Sequence, residues 1–234
     1  MCTIVLRLDP ESAEPVRLAA NRDEFRDRAA DDPMAIAPGV FAGRDRRAGG
    51  TWLAVGNGRL AALTNVAEAP RQLNARSRGE LPLLAVAGAL PDRLDAWNAF
   101  NLLVVDADGA RVVTHLGGGR VLGPTLLGPG AHAIVNEPFG HEATPRGARV
   151  RLLLDDDAPA DFPLLSDHGT PAGTDGLCHH GAAYGTVSAT VIALDHAREV
   201  VRYWHRPGQP CVTPTRDLTA AARAATGVGA AQPR

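Results

Sequence analysis

The feature that most constrains the fold of this 234-residue chain is a hairpin written between residues 51 and 64. Two β-rich runs, 51–56 and 59–64, are separated only by Asn57-Gly58. Both residues tolerate the positive φ that a tight type I′ turn demands, so two antiparallel strands are expected to meet there. Asn65 ends the returning strand. Gly49-Gly50 ahead of the hairpin permits a close backbone approach.

The N-terminal residues repeat the pattern. Residues 2–8 alternate, with Cys2, Ile4, Leu6 and Leu8 on one face, and Asp9-Pro10 closes the run. A second strand runs from 16 to about 22, with Val16, Leu18, Ala20 and Arg22 sharing a face. Antiparallel pairing of the two puts Cys2 and Arg22 on the buried side of one sheet. An arginine there must be paired or functional, because an unpaired buried charge is expensive. Asn21-Arg22-Asp23-Glu24 reads locally as a strand end. The arginine- and proline-rich stretch to residue 39 reads as loop.

Further hairpins are expected at 100–106 with 111–116, and at 188–194 with 200–204. A strand over 131–135 delivers Asn136 at its end. Helices are expected over 77–90, around Leu94 and Trp97, over 146–154 and over 215–225. The three aspartates 155–157 read as a solvated helix end, 158–182 as loop and 227–234 as a frayed tail. No linker or internal repeat interrupts the chain. It reads as one α+β domain over 1–226, with antiparallel hairpins in two groups and helices inserted between them.

Composition removes several chemistries. All 24 basic residues are arginine, and without lysine there can be no Walker phosphate loop, Schiff-base lysine, pyridoxal phosphate anchor or protein-kinase site. A formal net charge of −2 gives no electrostatic reason to expect nucleic acid or an anionic membrane. No apolar stretch is long enough to span a bilayer. Three cysteines without framework spacing fit free thiols in a reducing compartment, so a cytoplasmic location is expected.

Cys2 directly follows the initiator methionine and is small enough for Met1 removal. The mature thiol would then share a carbon with its own α-amine, which titrates near ~8 and can act as base for a thiol of pKa ~8.5. Asn65 and Asn136, each at a strand end, can donate to an oxyanion. Arg22 can lower the thiol pKa electrostatically. The competing cluster, Cys178-His179-His180 with His168 and Asp175, has zinc-ligand residue types but fits no standard finger spacing. It reads as a solvated loop, and no metal or cofactor is expected.

Several longer motifs carry a family resemblance. Met1-Cys2-Thr3-Ile4-Val5, LAANRDEF at 18–25, GGTWLAV at 49–55 and GRLAALTN at 58–65 resemble the NRDE-motif family, also called Transport and Golgi organisation 2. RGEL at 78–81, NAFNLLVVD at 98–106, the Asn136 segment and YGT at 184–186 continue it. The resemblance implies an N-terminal nucleophile hydrolase-like fold, a four-layer αββα sandwich of two antiparallel sheets between helices. It also implies a distant likeness to cysteine acylases that cleave penicillin V and conjugated bile salts. Carried over residue by residue, that pattern makes Cys2 the nucleophile, Arg22 its neighbouring arginine, and Asn65 and Asn136 the oxyanion or positioning asparagines. The acylase aspartate would fall on Phe25, so Asp23 or Glu24 takes the acidic role. Val187 stands where many relatives are expected to carry arginine. The expected function is amide hydrolysis of a small acyl substrate through a Cys2 acyl-enzyme. The alternative is a non-catalytic carrier holding an apolar ligand such as haem or a lipid between the sheets.

Overall fold

The computed structural model describes residues 2–67, 69, 71–141, 143–154, 160–171 and 175–227. Met1, the three-aspartate run and residues 228–234 of the expected tail lie outside them. The described residues form two antiparallel sheets, so the architecture is a sheet-rich sandwich with a few short helices.

The first sheet contains β1 (Thr3–Leu8), β2 (Val16–Phe25), β10 (Gly130–Ile134), β11 (Tyr184–Leu194), β12 (Val200–Arg206) and β13 (Arg216–Asp217), in the order β10-β1-β2-β11-β12-β13. The second runs in sequence order through β3 (Ala30–Ala37), β4 (Val40–Asp45), β5 (Leu53–Gly56), β6 (Arg59–Asn65), β7 (Phe100–Asp106), β8 (Gly109–His115) and β9 (Val121–Leu127). Asn57 and Gly58 take φ of 52° and 68°, and Leu53 pairs with Ala62, as the Asn-Gly turn requires.

Strand parity decides the layering. Ile4, Leu6, Val16, Leu18 and Ala20 face Leu53, Val55, Leu60, Ala62, Leu103 and Val105 in the core between the sheets. The odd positions Val5 and Ala19 turn the other way, with Ala189 and Val191. They pack there on Val150 of α2 (Pro145–Leu153) and on Phe162 and Leu165 of α3 (Phe162–Leu165). On the far face of the second sheet, Ala42, Ala54, Ala61, Leu102 and Val104 meet Leu81, Ala85 and Val86 of α1 (Glu80–Val86), together with Trp97. Each buried Leu, Val or Phe contributes roughly 1.5–3 kcal/mol, which outweighs the weak intrinsic stability of helices this short. The remaining helix, α4 (Thr219–Thr226), buries Ala222 in the inter-sheet core. No helix among the described residues is long and apolar enough to cross a membrane.

Three local expectations are corrected. Residues 23–39 are not loop, since β2 continues to Phe25 and β3 follows. β3 and also β9 are edge strands whose side chains are mostly exposed, so neither carries an alternating pattern. Pro33 and Pro124 are tolerated in them because an edge strand has an unpaired side. The helix expected over 77–90 shrinks to α1, with Gly88 at φ 68° just past its end. Around Leu94 and Trp97 the chain turns instead of coiling. Trp97 is buried, and its indole donates to the Ser77 carbonyl at 3.2 Å.

Candidate active site

β1 enters the first sheet between β2 and β10. Thr3 pairs with Asn21 on one side, and Ile4 pairs with Ile134 on the other. Carried back to Cys2, these registers set it across from Arg22 and across from Asn136. Hydrogen bonds between the sheets close the same end of the sandwich. Thr64 Oγ1 and Asn101 Nδ2 both donate to the Val135 carbonyl, at 2.7 and 3.0 Å. Ala67 N donates to the Asn136 carbonyl, and Asn136 Nδ2 donates to the Asn65 carbonyl at 2.6 Å.

Cys2, Arg22, Asp23 and Asn65 line one cavity of about 360 Å³, together with Glu24, Arg28, Asp45, Trp52, Arg76 and Arg78. Gly50 packs on the Gly79 backbone to form a wall that only glycine allows at position 50. A Cβ on Gly50 would lie 2.4 Å from the Gly79 carbonyl carbon, and Thr51 N donates to the Gly79 oxygen at 2.8 Å.

Arg22 is buried at 6% exposure, with its guanidinium 4.2 Å above the Trp52 ring. Among the described residues it makes no hydrogen bond and no ion pair, and burial holds it below the usual arginine range. Stacking recovers on the order of 1–2 kcal/mol of such a cost and leaves the charge available to a ligand. Its neighbours are committed. Arg28 reaches Asp45 at 2.7 Å and lies 3.6 Å from Glu24, while Arg76 pairs with Glu80 at 2.6 Å. Arg78 donates to the Ala99 carbonyl at 2.8 Å, and burial pulls it down to about 10.

The Cys2 sulfur lies 3.7 Å from the Asp23 carbonyl, to which the Tyr184 hydroxyl also donates at 3.0 Å. Burial pushes the Cys2 thiol above its ordinary value, and the opposing pull of Arg22 is too weak to offset it. Arg22 does pull the thiol down, as expected, but desolvation by burial outweighs it. A thiol kept protonated in this way needs a base close by.

The two acids of the NRDE stretch separate by parity. Glu24 shares the Arg22 face and lines the cavity, while the Asp23 carboxylate turns to the opposite face. There it accepts from Arg146 at 2.6 Å and from Thr186 Oγ1 at 2.7 Å, with both ion-pair side chains at 2% exposure or less. Asp23 thus touches the site through its carbonyl. Val187 sits at a β-bulge, where the register of β11 on β2 shifts between Thr186 and Ser188.

The asparagines also differ. Asn65 is exposed at the cavity, and its side-chain amide makes no hydrogen bond among the described residues. Asn136 spends its amide N–H on the Asn65 backbone, and its buried Oδ1 has no hydrogen-bond partner among the described residues. Sequence reading missed Asn101, which is fully buried. It donates to Thr64, Val135 and Glu137 and accepts from Thr114, fixing the exit of β10 that presents Asn136. A buried asparagine amid an apolar strand was its one visible signal. Arg28, Asp45, Trp52 and Arg78 were missed as cavity residues, because they come from separate strands and loops.

The family model described as Transport and Golgi organisation 2 matches residues 1–156. This chain belongs to that family. The Transport and Golgi organization protein 2 homolog of Bos taurus is 31% identical, over 83% of this chain and 89% of its own. The Mus musculus and Homo sapiens homologs are each 29% identical over the same shares. Cys2, Arg22, Asp23, Asn65 and Asn136 all fall inside the segment matched by the Transport and Golgi organisation 2 model.

One further group lies beyond that segment. The described residues of the stretch expected as loop, 158–182, include α3, and Cys178 among them is 4% exposed. The ligating atoms of His168, Cys178, His180 and Cys211 all lie within 4.8 Å of one another. Asp175 is not among them; it accepts from Thr170.

Proposed function

We propose that the chain is an N-terminal-cysteine amidohydrolase that works through a Cys2 acyl-enzyme. The observation that carries this reading is the register that brackets Cys2 between Arg22 and Asn136 at the wall of a charged cavity. Removal of Met1 creates an amine on Cys2, and the buried Oδ1 of Asn136, without a partner among the described residues, is an acceptor for it. The amine takes the thiol proton, and the sulfur attacks the amide carbon. Asn65 Nδ2 donates to the oxyanion, and the C–N bond breaks as the amine returns the proton to the leaving nitrogen. Water then splits the thioester, releasing the acid and restoring the thiol.

Arg22, which makes no ion pair among the described residues and stacks on Trp52, suits a carboxylate or another oxyanion on the acyl portion. The packing of short helices on both outer faces supports the N-terminal nucleophile hydrolase-like layering αββα. Three unbonded cysteines support a reducing, cytoplasmic setting. The relatives' names speak of transport and Golgi organization, and an apolar carrier site would serve such a role. Four arginines and the carboxylates of Glu24 and Asp45 along the cavity wall weigh against haem or lipid.

Two measurements test the reading together. Intact mass of the purified native protein should lack Met1, and Cys2→Ser should abolish turnover across a panel of acyl amides bearing an anionic group. Retained Met1, or turnover that survives in Cys2→Ser, overturns it.

A further inference from the structure

We propose that His168, Cys178, His180 and Cys211 form a tetrahedral zinc site that staples the loop before β11 to the segment after β12. The two sulfurs are 3.6 Å apart, and His180 Nε2 lies 3.5 Å from Cys178 Sγ and 3.2 Å from Cys211 Sγ. Zinc bonds of ~2.3 Å to sulfur and ~2.0 Å to nitrogen, set at tetrahedral angles, separate two sulfurs by about 3.8 Å and sulfur from nitrogen by about 3.5 Å. The Cys178, His180 and Cys211 donors therefore already stand at the spacing of the ion's coordination shell, and the His168 donor, within 4.8 Å of the other three, needs only a small side-chain adjustment to join them. The His168 ring completes the fourth corner, packed edge-on to His180 with centroids 5.0 Å apart. A disulfide needs its sulfurs at ~2.05 Å, so the observed separation is not that bond.

The local backbone fits the same purpose. Cys178 and His180 are two apart, so both can face the ion while His179 between them turns away. His179 N instead donates to Thr186 Oγ1, the hydroxyl that also donates to Asp23. Leu177 N and Cys178 N both donate to the Asp167 carbonyl beside His168, and Asp167 is held by Arg149 of α2. Two thiolates and two neutral imidazoles around a divalent cation make a neutral site. That charge is tolerable beside Arg26, whose guanidinium bonds the nearby Gly181 carbonyl. Binding releases both thiol protons to solvent, with no redox change. With four protein ligands no position remains for substrate, so the role is structural. Through Thr186 and Asp23 the metal steadies the backbone against which Cys2 packs. Nothing in this assignment depends on hydrolysis at Cys2.

The full-length protein should be purified without chelator in zinc-supplemented medium and its metal measured by mass spectrometry. About one zinc per chain is expected, falling to background in Cys178→Ser/Cys211→Ser and remaining at one in Cys2→Ser. Cobalt exchanged into the wild-type protein should give the thiolate charge-transfer band and intense visible bands of a tetrahedral S2N2 site. If the double variant does not fold, wild-type protein still decides the matter. Zinc should slow alkylation of Cys178 and Cys211 at least tenfold, and EDTA should restore it, with Cys2 unaffected. Metal-free protein, zinc retained in the double variant, a Cys178–Cys211 disulfide in the native protein, or alkylation indifferent to zinc each overturns the proposal.

Discussion

Replacing Arg146 by Met tests how the NRDE segment is held. The Arg146–Asp23 pair has an N···O distance of 2.6 Å and exposures of 2% and 0%, so solvent screens it little. Arg146→Met keeps the aliphatic bulk but leaves the Asp23 carboxylate buried without its guanidinium. Breaking such a pair from one side costs about 3–5 kcal/mol. For a chain of this size that corresponds to a fall in Tm of roughly 6–20 °C. Urea unfolding followed by circular dichroism measures it, with the shift in midpoint multiplied by m. In Asp23→Asn/Arg146→Met both charges are gone, and the asparagine carbonyl can still accept from Thr186. The double variant should therefore recover about 2 kcal/mol relative to the sum of the single changes. Glu24→Gln, on the cavity side and half-exposed, should stay within about 0.5 kcal/mol of wild type. A cost below about 1 kcal/mol for Arg146→Met would place the pair with ordinary surface ion pairs. The separate roles assigned to Asp23 and Glu24 would then be wrong.

Three other outcomes follow from the same geometry. Gly50→Ala should lower stability and disturb the cavity, because its Cβ would meet the Gly79 carbonyl group at 2.4–2.5 Å, backbone that cannot rotate away; a wild-type melting curve would refute this. Burial lowers His205 to about 4, although Asp32 pulls the other way. The unfolded chain takes up this proton near pH 6.5 and the folded protein only near 4, so stability should fall by ~3 kcal/mol as pH drops across that window, and His205→Gln should flatten the loss. Because burial raises the Cys2 thiol, its alkylation by iodoacetamide should still be accelerating above pH 9, and Arg22→Ala should slow it at every pH; a plateau below pH 8, or no effect of Arg22→Ala, contradicts the electrostatics given above.

Much of this protein was legible one residue at a time. Asn57-Gly58 set its hairpin because turn conformation is a local property of two residues. Alternation in 2–8 and 16–22 put Cys2 and Arg22 on one face, because a pleated strand has a period of two wherever one face is buried. The edge strands β3 and β9 escaped for the converse reason: a strand with little buried surface has no pattern to show. Tertiary structure alone decided what happens across gaps in sequence. It sent the Asp23 carboxylate to Arg146, 123 residues away, and let burial outweigh Arg22 at the Cys2 thiol. It also brought Cys211 to Cys178 across 33 residues, which no local spacing rule anticipates. Desolvation and long-range pairing depend on which chains pack together in space, and a linear pattern carries no measure of that.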